Sequence, residues 1–274
     1  MLTANTNTDL LPSIALEVER MRLQAEAWEP EVEVWLDQIG VQPGWHCVDL
    51  GCGPVGILGP LNRRVERHGR VVGVDGDPRK LEAARQYARD NRLESVEVIS
   101  SDVFDTDLEC GTFDLTHARF LVAPLGRQGD LLSEMIALTR PGGIVAVEEP
   151  DVSSWNCYPA RPAFRRLVNA LQDAVVESGG NFTAGRNTYT LLRRSGLEDV
   201  RARAVAVACE AGHPFRKIIL HFAEALRKRI TEGDILSPPE LDECVAEVNQ
   251  VIDDPDVLVV SYLTTQVWGR KKAD

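Results

Sequence analysis

The stretch that decides the fold is residues 48–56, Val-Asp-Leu-Gly-Cys-Gly-Pro-Val-Gly. It follows an apolar segment, 45–50, that predicts a strand, and it leads into a segment, 55–68, that predicts a helix. Glycines at such a junction let the backbone turn tightly and approach a ligand closely, and the helix N-terminus adds N–H donors. The G-x-G-x-x-G spacing fits a dinucleotide-binding loop as well as loops for other adenosine cofactors. Taken alone, the loop leaves the cofactor open.

Acidic residues stand at the ends of the first three predicted strands, and they narrow this choice. Asp49 comes two residues before the first glycine, where dehydrogenase loops usually carry an apolar residue or glycine; it can fix the loop and reach toward an ammonium group or a bound water. Asp75 can accept both hydroxyls of a ribose, a device that NAD sites share, or it can cap the helix that follows. Asp102 suits the exocyclic amine of adenine. Asp49 and Asp102 together argue against NAD.

Strands and helices alternate along most of the chain. Helices are predicted at 55–68, 78–91 and 131–139, between apolar strands. This alternation predicts an α/β fold with a seven-stranded, mostly parallel, doubly wound sheet. The predicted strands are 45–50, 71–74, 96–99, 113–116, 144–148, 200–209 and 257–268.

Helical segments surround this core. Apolar residues at helical spacing predict helices at 11–28 and 30–39 before the first strand, and at 163–177 and 188–194 after the fifth. The predicted parts are an N-terminal helical cap (1–40), a Rossmann-like cofactor-binding core (41–150), a lid insertion (151–195), and the last two strands with a helical insertion (196–274, insertion 212–256).

Composition and charge disfavour several classes of function. The 274 residues carry a net charge of −12, and their basic clusters are short, so no nucleic acid partner is expected. The six cysteines form no C-x-x-C pair, and no histidine stands at zinc-finger spacing. This pattern predicts reduced thiols and a cytoplasmic location. Neither a signal peptide nor an apolar run of about 18 residues is recognisable, so no membrane partner is expected.

The motifs of residues 45–150 resemble those of class I S-adenosylmethionine (SAM)-dependent methyltransferases. The matching segments, in the family's order and spacing, are VDLGCGPVG, VVGVDGDP, SDVFD, FDLTHARF and RPGGIVAVEE. A later segment, 185–200, is similar to the lead into strand six of members that act on small molecules. One departure is Val55, which stands where the family loop often has a third glycine.

The resemblance implies SAM as cofactor and S-adenosylhomocysteine as product. It further implies methyl transfer to oxygen, nitrogen or carbon of a small organic acceptor, of the kind found in secondary metabolism. Five aromatic residues between 151 and 195 favour a hydrophobic or aromatic acceptor bound by the lid insertion. The residues implied in cofactor binding are Asp49, Gly51, Cys52, Gly53, Asp75, Gly76, Asp102, Val103 and His117.

His117 is the predicted catalytic residue. It is expected just after strand four, where the methyl group and the acceptor meet in this fold, and an imidazole can act as a base near neutral pH. The alternative is that His117 packs at the strand end or lines the cofactor pocket. An activated carbon or amine acceptor would need no base.

The predicted acceptor-binding residues are Arg119, Glu149, Trp155 and Tyr189. Arg119 can orient an acceptor carboxylate or pair with a glutamate at the end of strand five, and Glu149 can bind a polar acceptor. Trp155 and Tyr189 can contact an aromatic acceptor or pack the lid helices. No histidine accompanies the acids at ligand spacing, so no metal is expected. Three N-terminal residues are expected near the cofactor from their position: Arg22, Gln24 and Trp28.

Other functions stay open at this level. The same fold could bind SAM and catalyse a cyclisation, rearrangement or decarboxylation, it could serve as a nicotinamide-dependent oxidoreductase, or it could act as a scaffold without catalysis. A small-molecule acceptor is the expected partner. The helical insertion 212–256 would also support a homodimer.

Overall fold

A computed structural model describes residues 14–273, so residues 11–13 of the helix predicted at 11–28 lie outside the described residues. The strands are β1 His46–Leu50, β2 Arg70–Asp75, β3 Val96–Ser100, β4 Phe113–Arg119, β5 Thr139–Asp151, β6 Asn156–Tyr158, β7 Glu198–Val205, β8 Ala208–Cys209, β9 Leu258–Val260 and β10 Leu263–Arg270. The α-helices are α1 Ile14–Ile39, α2 Leu58–Val65, α3 Pro78–Asp90, α4 Val122–Leu125, α5 Gln128–Leu138, α6 Pro162–Glu177, α7 Gly185–Arg194, α8 Ile218–Glu232 and α9 Pro238–Asp253.

The large sheet has seven strands in the order β3-β2-β1-β4-β5-β10-β7. Neighbouring strands are parallel except at β10, which is antiparallel to both β5 and β7. The predicted seven-stranded, mostly parallel, doubly wound sheet is therefore confirmed. Because β10 runs against the others, its first residues lie at the edge where β1 to β5 end. Leu263 pairs with Asp151, the last residue of β5.

Both faces of the large sheet are buried, because alternate residues of its central strands enter two different apolar clusters. In β1, Val48 and Leu50 belong to the first cluster and Cys47 to the second. The first cluster extends into α5, α6, α8 and α9, and the second into α2, α3 and the C-terminal part of α1. The parts predicted separately as lid and helical insertion thus share one apolar core.

The N-terminal region forms one helix instead of the two predicted. Pro30 stands inside α1, although its missing N–H and its ring disfavour a helix interior. Side chains on both sides of the proline are fully buried, with Trp28 in the first cluster and Trp35 and Leu36 in the second. We attribute the continuity of α1 to this packing, which offsets the local cost of the proline.

The helix after the glycine loop begins later than predicted, at Leu58 instead of residue 55. Gly56 has a φ of +54°, in the left-handed region that a right-handed helix cannot include. The turn therefore extends through Ile57, and three residues of the predicted helix belong to the loop.

The strands predicted at 200–209 and 257–268 are each divided between two sheets. β7 and β10 lie in the large sheet, whereas β8 and β9 join β6 in a three-stranded antiparallel sheet of order β6-β9-β8. The two segments are hydrogen-bonded to each other where they pass from one sheet to the other, since the Ser261 amide N–H donates to the Val207 carbonyl oxygen at 2.9 Å. Apolar residues occur in both pieces of each segment, so the sequence pattern does not mark the change of sheet.

Candidate functional site

The turn after β1 depends on its glycines. Gly51, Gly53 and Gly56 have φ values of +70°, +55° and +54°, which ordinary side chains rarely adopt. A side chain at Gly56 would also collide with the carboxylate of Asp49, and a Cβ at Gly51 would stand 2.7 Å from Leu121. A Cβ at Gly53 would stand 2.5 Å from the terminal methyl carbon of Met21, so all three positions are restricted by close neighbours as well as by backbone conformation.

Asp49 holds this turn in place from the end of β1. Its Oδ2 accepts the Ile57 amide N–H at 3.0 Å, and its Oδ1 lies 2.7 Å from Nδ1 of His117. Because a carboxylate only accepts, Nδ1 of His117 is the donor. Asp49 is almost fully buried, where such bonds are stronger than in water. The turn is thus fastened to both β1 and β4.

The placement of His117 does not fit its predicted roles as general base and cofactor ligand. β4 is longer than predicted, so His117 lies within the strand, opposite Asp49 in β1 and Ala146 in β5. Its ring is fully buried, 5.5 Å from that of Trp35, and does not line the cavity described below. We therefore correct both roles: His117 positions Asp49.

The acids after β2 and β3 shape the next two loops. Asp75 accepts the Gly53 amide N–H at 3.0 Å and the Asp77 amide N–H at 2.9 Å, one at each carboxylate oxygen. Asp102 accepts the Phe104 amide N–H at 3.0 Å. A carboxylate has about four lone-pair sites, so both acids keep acceptor capacity for a ligand. The helix cap considered for Asp75 is made instead by Asp77.

A cavity of about 1010 Å³ lies at this edge of the sheet. Pockets for a single small ligand occupy roughly 300–1,000 Å³, so there is room for a cofactor and a second small molecule. The cavity brings together eight of the predicted site residues: Asp49, Gly51, Cys52, Asp75, Gly76, Asp102, Val103 and Arg119. We call the part formed by the loops 49–56, 75–80 and 100–104 the cofactor side.

The rest of the cavity wall comes from α1, the segment after β4, the lid, α8 and the residue before β10, and we call it the lid side. Most of its side chains are apolar or aromatic. Its main residues are Glu17, Arg20, Gln24, Phe120, Leu121, Phe182, Phe222, Leu226, Arg229 and Tyr262. Phe120 has a φ of +53°, a strained conformation of the kind that concentrates at functional sites.

Two predicted acceptor-binding residues are buried away from the cavity. Both oxygens of Glu149 are occupied by the amide N–H groups of residues 121–123, at 2.7–3.0 Å. Burial raises the pKa of Glu149 to about 8, while these amide donors act in the opposite direction. Trp155 is fully buried among the rings of Phe164, Phe215 and Tyr262. We correct both to structural roles.

Of the other two predicted acceptor-binding residues, Tyr189 lies outside the cavity and Arg119 lies in its wall. Tyr189 is exposed and borders a shallow surface near β7 and β10, beside Trp268, away from the cavity. Its predicted contact with the acceptor is therefore wrong. Arg119 does line the cavity, and it donates to the Gly56 carbonyl oxygen at 3.0 Å. The alternative pairing of Arg119 with a glutamate of β5 is not formed.

Sequence reasoning missed most of the lid side. Of the three N-terminal residues expected near the cofactor, Gln24 lines the cavity, whereas Arg22 pairs with Glu19 on the surface and Trp28 is buried in the core. A usable signal was present, because Glu17, Arg20 and Gln24 recur at helical spacing and form a polar stripe on α1.

Two further observations bear on partners. Within residues 14–273, no group of three or more histidine, cysteine, aspartate or glutamate side chains is arranged to hold a metal ion. No helix in the same range is long and apolar enough to cross a bilayer.

Comparison with known proteins identifies the family. A family model described as a methyltransferase domain matches residues 42–195, more than half of the chain. The chain belongs to this methyltransferase family. The resemblance to class I SAM-dependent methyltransferases is thereby confirmed, and the cofactor is SAM.

Individual relatives are more distant. An uncharacterised 37.1 kDa protein from a Streptomyces fradiae transposon is 33% identical over 147 residues, 53% of this chain and 42% of that protein. Ribosomal protein L11 methyltransferase of Burkholderia mallei is 37% identical over 113 residues, 41% of this chain and 34% of that protein. The chain thus spans less than half the length of these relatives.

A solved structure extends the likeness of fold over most of the chain. Haemonchus contortus phosphoethanolamine N-methyltransferase 2, in complex with phosphomonomethylethanolamine and S-adenosylhomocysteine, is similar with a TM-score of 0.56 and 16% identity. The similarity covers 89% of this chain and 53% of that one.

The residues of the cofactor side fit SAM in shape and charge. Glycines with positive φ leave space for close approach of a ligand, and three carboxylates, Asp49, Asp75 and Asp102, border the same cavity. SAM carries an ammonium group, two ribose hydroxyls and an adenine amine, all of which donate hydrogen bonds that carboxylates can accept. The positive charge of its sulfonium is also favoured near carboxylates.

Proposed function

We propose that this protein transfers the methyl group of SAM to a small, predominantly apolar organic acceptor. The observation that carries the proposal is the continuity of one cavity from the glycine loop and its acids to a lid side lined by aromatic and aliphatic side chains. A site of this kind suits a ligand with a hydrophobic or aromatic body and few polar groups.

On the cofactor side we propose the following contacts. Asp75 binds the ribose hydroxyls, Asp102 binds the adenine amine, and Asp49 keeps the turn in position near the ammonium group. Gly51, Cys52, Gly76 and Val103 form the surface against which the nucleoside lies. Gly53 contributes indirectly, because its amide holds Asp75 and Met21 of α1 covers it.

The bound cofactor supplies an electrophilic methyl group on a sulfonium, which is a good leaving group. The protein's part is to align the acceptor atom with that methyl group and to exclude water. Aromatic rings from three separate segments, those of Phe120, Phe182 and Phe222, close the lid side. We propose that they fix the orientation of the acceptor.

The charged groups of the lid side also bear on the acceptor's nucleophile. Glu17 is its one carboxylate among the described lining residues, and Arg20 forms an ion pair with it at 2.8 Å. Burial alone would raise the pKa of Glu17, but hydrogen bonding and charge from Arg20, with Lys80, lower it below its usual value. Glu17 is therefore a weak base, which favours an acceptor that needs no dedicated base, such as an amine or an activated carbon.

The test combines cofactor binding with product analysis. The purified protein is titrated with SAM, S-adenosylhomocysteine and NADH, and then incubated with SAM and a panel of arylamines, phenols and polyketide-like carbon acids. Ribosomal protein L11 is included as a protein acceptor. We expect binding of the two SAM ligands without NADH, and S-adenosylhomocysteine formed in step with a methylated small molecule.

Each alternative has its own outcome. Methylated L11 without a methylated small molecule would replace the acceptor class. Conversion of a substrate without formation of S-adenosylhomocysteine would indicate a non-methylating SAM enzyme. Binding of NADH in place of SAM would favour an oxidoreductase.

A further inference from the structure

We propose that the hydroxyl of Tyr262 donates a hydrogen bond to the molecule that receives the methyl group. The protein therefore selects apolar molecules that carry a hydrogen-bond-accepting atom such as a carbonyl oxygen. The proposal rests on the proposed function, since it names a chemical feature of the molecule bound on the lid side. It follows from the direction of two buried hydrogen bonds.

Arg20 fixes the orientation of the side-chain amide of Gln24. Its Nη1 donates to Oε1 of Gln24 at 2.9 Å, and a guanidinium has no acceptor atom, so the amide oxygen of Gln24 must face Arg20. The amide nitrogen of Gln24 must then face Tyr262, whose hydroxyl lies 2.6 Å away. An amide nitrogen only donates, so the Tyr262 oxygen accepts this bond.

The hydroxyl hydrogen of Tyr262 is consequently not used by Gln24. The indole N–H of Trp28, which also lies near the phenol, is a donor only. Among the residues that the structure describes, none accepts a hydrogen bond from Tyr262. A buried donor without a partner costs stability, so this hydrogen is expected to find its partner in a molecule bound in the cavity.

The position of Tyr262 suits this role. It directly precedes β10 and so stands at the edge of the sheet where the cavity lies, and it contributes to the cavity wall. Its ring is almost fully buried and contacts the rings of Phe120, Phe215 and Trp155, with centroids 6.0, 5.4 and 5.2 Å away. These contacts hold the phenol in one orientation. Burial also raises the pKa of Tyr262, so the hydroxyl keeps its proton.

The experiment compares two probes of similar shape on the full-length protein saturated with S-adenosylhomocysteine. Acetophenone has a carbonyl oxygen that accepts but cannot donate, and ethylbenzene has the same ring and chain length without it. Dissociation constants are measured by ligand-observed NMR, and the carbonyl stretch of bound acetophenone is measured by infrared difference spectroscopy. A hydrogen bond moves that stretch to lower frequency.

Three variants separate the bond from the packing. Tyr262→Phe removes the hydroxyl and keeps the ring. Gln24→Glu keeps the shape of residue 24 but replaces its donor with an acceptor, so Tyr262 donates to Glu and its hydrogen is withdrawn from the cavity. Gln24→Met removes both bonds and leaves the hydroxyl hydrogen available.

We expect Tyr262→Phe and Gln24→Glu each to weaken acetophenone binding about fivefold and to abolish the carbonyl shift. Binding of ethylbenzene changes less than about twofold, and Gln24→Met keeps the shift. If Tyr262→Phe does not fold, Gln24→Glu alone decides between the two outcomes.

Equal acetophenone binding and an unchanged carbonyl frequency in the wild type, Tyr262→Phe and Gln24→Glu would overturn the role of Tyr262 while leaving the apolar-acceptor proposal intact. Failure of both probes to bind the wild-type protein would overturn the apolar-acceptor proposal, and this one with it. The two failures are therefore distinguishable.

Discussion

The two sides of the cavity are built in different ways. The cofactor side comes from three short segments, 49–56, 75–80 and 100–104, each of which directly follows or ends a neighbouring parallel strand. The lid side is assembled from α1, the segment after β4, the lid, α8 and Tyr262, which are distant from one another in the chain. A site made from backbone turns can therefore be read in short motifs, whereas a site made from helix faces cannot.

The two sides also differ in how strictly the structure restricts the residue at each position. On the cofactor side, glycine φ values and carboxylate-to-amide bonds restrict the residue at each position. On the lid side, apolar packing tolerates many side chains of similar volume. Changes on the first side should affect SAM ligands selectively, and changes on the second should affect the acceptor selectively.

The largest effect is expected from Asp75→Ala. Loss of two charge-assisted bonds to the ribose, about 1.5–3 kcal/mol each, should weaken S-adenosylhomocysteine binding at least about 100-fold. Calorimetric titration measures the change, and ethylbenzene binding on the lid side should stay within about twofold. The matched control is Asp77→Ser, which removes a nearby carboxylate that does not line the cavity but keeps a helix-capping hydroxyl. An equal loss in both variants would assign the effect to the start of α3.

Variants of His117 test whether a residue within β4, outside the cavity, contributes to SAM binding by holding Asp49. His117→Leu leaves the Asp49 carboxylate without its imidazole donor, and we expect the KM for SAM to rise about 30-fold with kcat nearly unchanged. His117→Asn, whose amide can donate in place of Nδ1, should recover most of the loss. If the turnover rate instead fell by about two orders of magnitude while the KM for SAM stayed constant, the role of His117 as a general base would be restored.

Glu149 joins the two sides, since it holds the segment 121–123 between Gly51 and the lid. Its pKa is raised to about 8 in the folded protein, against about 4.3 when unfolded. The folded state therefore binds a proton that the unfolded state lacks between these values, and stability is lost as pH rises through 8. From pH 7 to pH 9 the free energy of unfolding should fall by about 1.4 kcal/mol from this group.

Urea denaturation at pH 7 and pH 9 measures this dependence in the wild type and in Glu149→Gln. The difference between the two pH values should be smaller in Glu149→Gln by that amount. The same pH difference in both proteins would show that Glu149 is ionised throughout.

The smallest effect is expected at Tyr189, which lies outside both sides. Tyr189→Ala should change S-adenosylhomocysteine and ethylbenzene binding by less than about twofold, because the side chain is exposed near β7 and β10. A tenfold loss of ethylbenzene binding alone would extend the lid side to that surface and restore the predicted contact.

The sequence was sufficient for the sheet, the glycine loop and the acids at the strand ends. These features follow from local patterns: apolar strands, a G-x-G turn, and polar residues where a strand stops. The predicted boundaries of helices and strands were wrong where long-range packing determines them, at Pro30 within α1 and at the change of sheet between β7 and β8.

The acceptor-binding predictions failed for a related reason. Position after a strand or in the lid indicated Glu149, Trp155 and Tyr189, but the direction of a side chain depends on what covers it. The Glu149 carboxylate accepts hydrogen bonds from three backbone amides, and Trp155 packs among buried aromatic rings. Phe222 and Tyr262 line the cavity because α8 and the start of β10 reach the same edge of the sheet, which no local pattern specifies.

The hydrogen bond between Gln24 and Tyr262 joins residues 238 positions apart. A ribosome adding roughly 5–20 residues per second takes on the order of ten seconds or more to place the second after the first. Every residue of the cofactor side has been synthesised by position 104, whereas Tyr262, the partner of Gln24 in α1, is added much later. During synthesis the nascent chain contains all three nucleoside-binding loops before Phe182, Phe222 and Tyr262 of the lid side have been added.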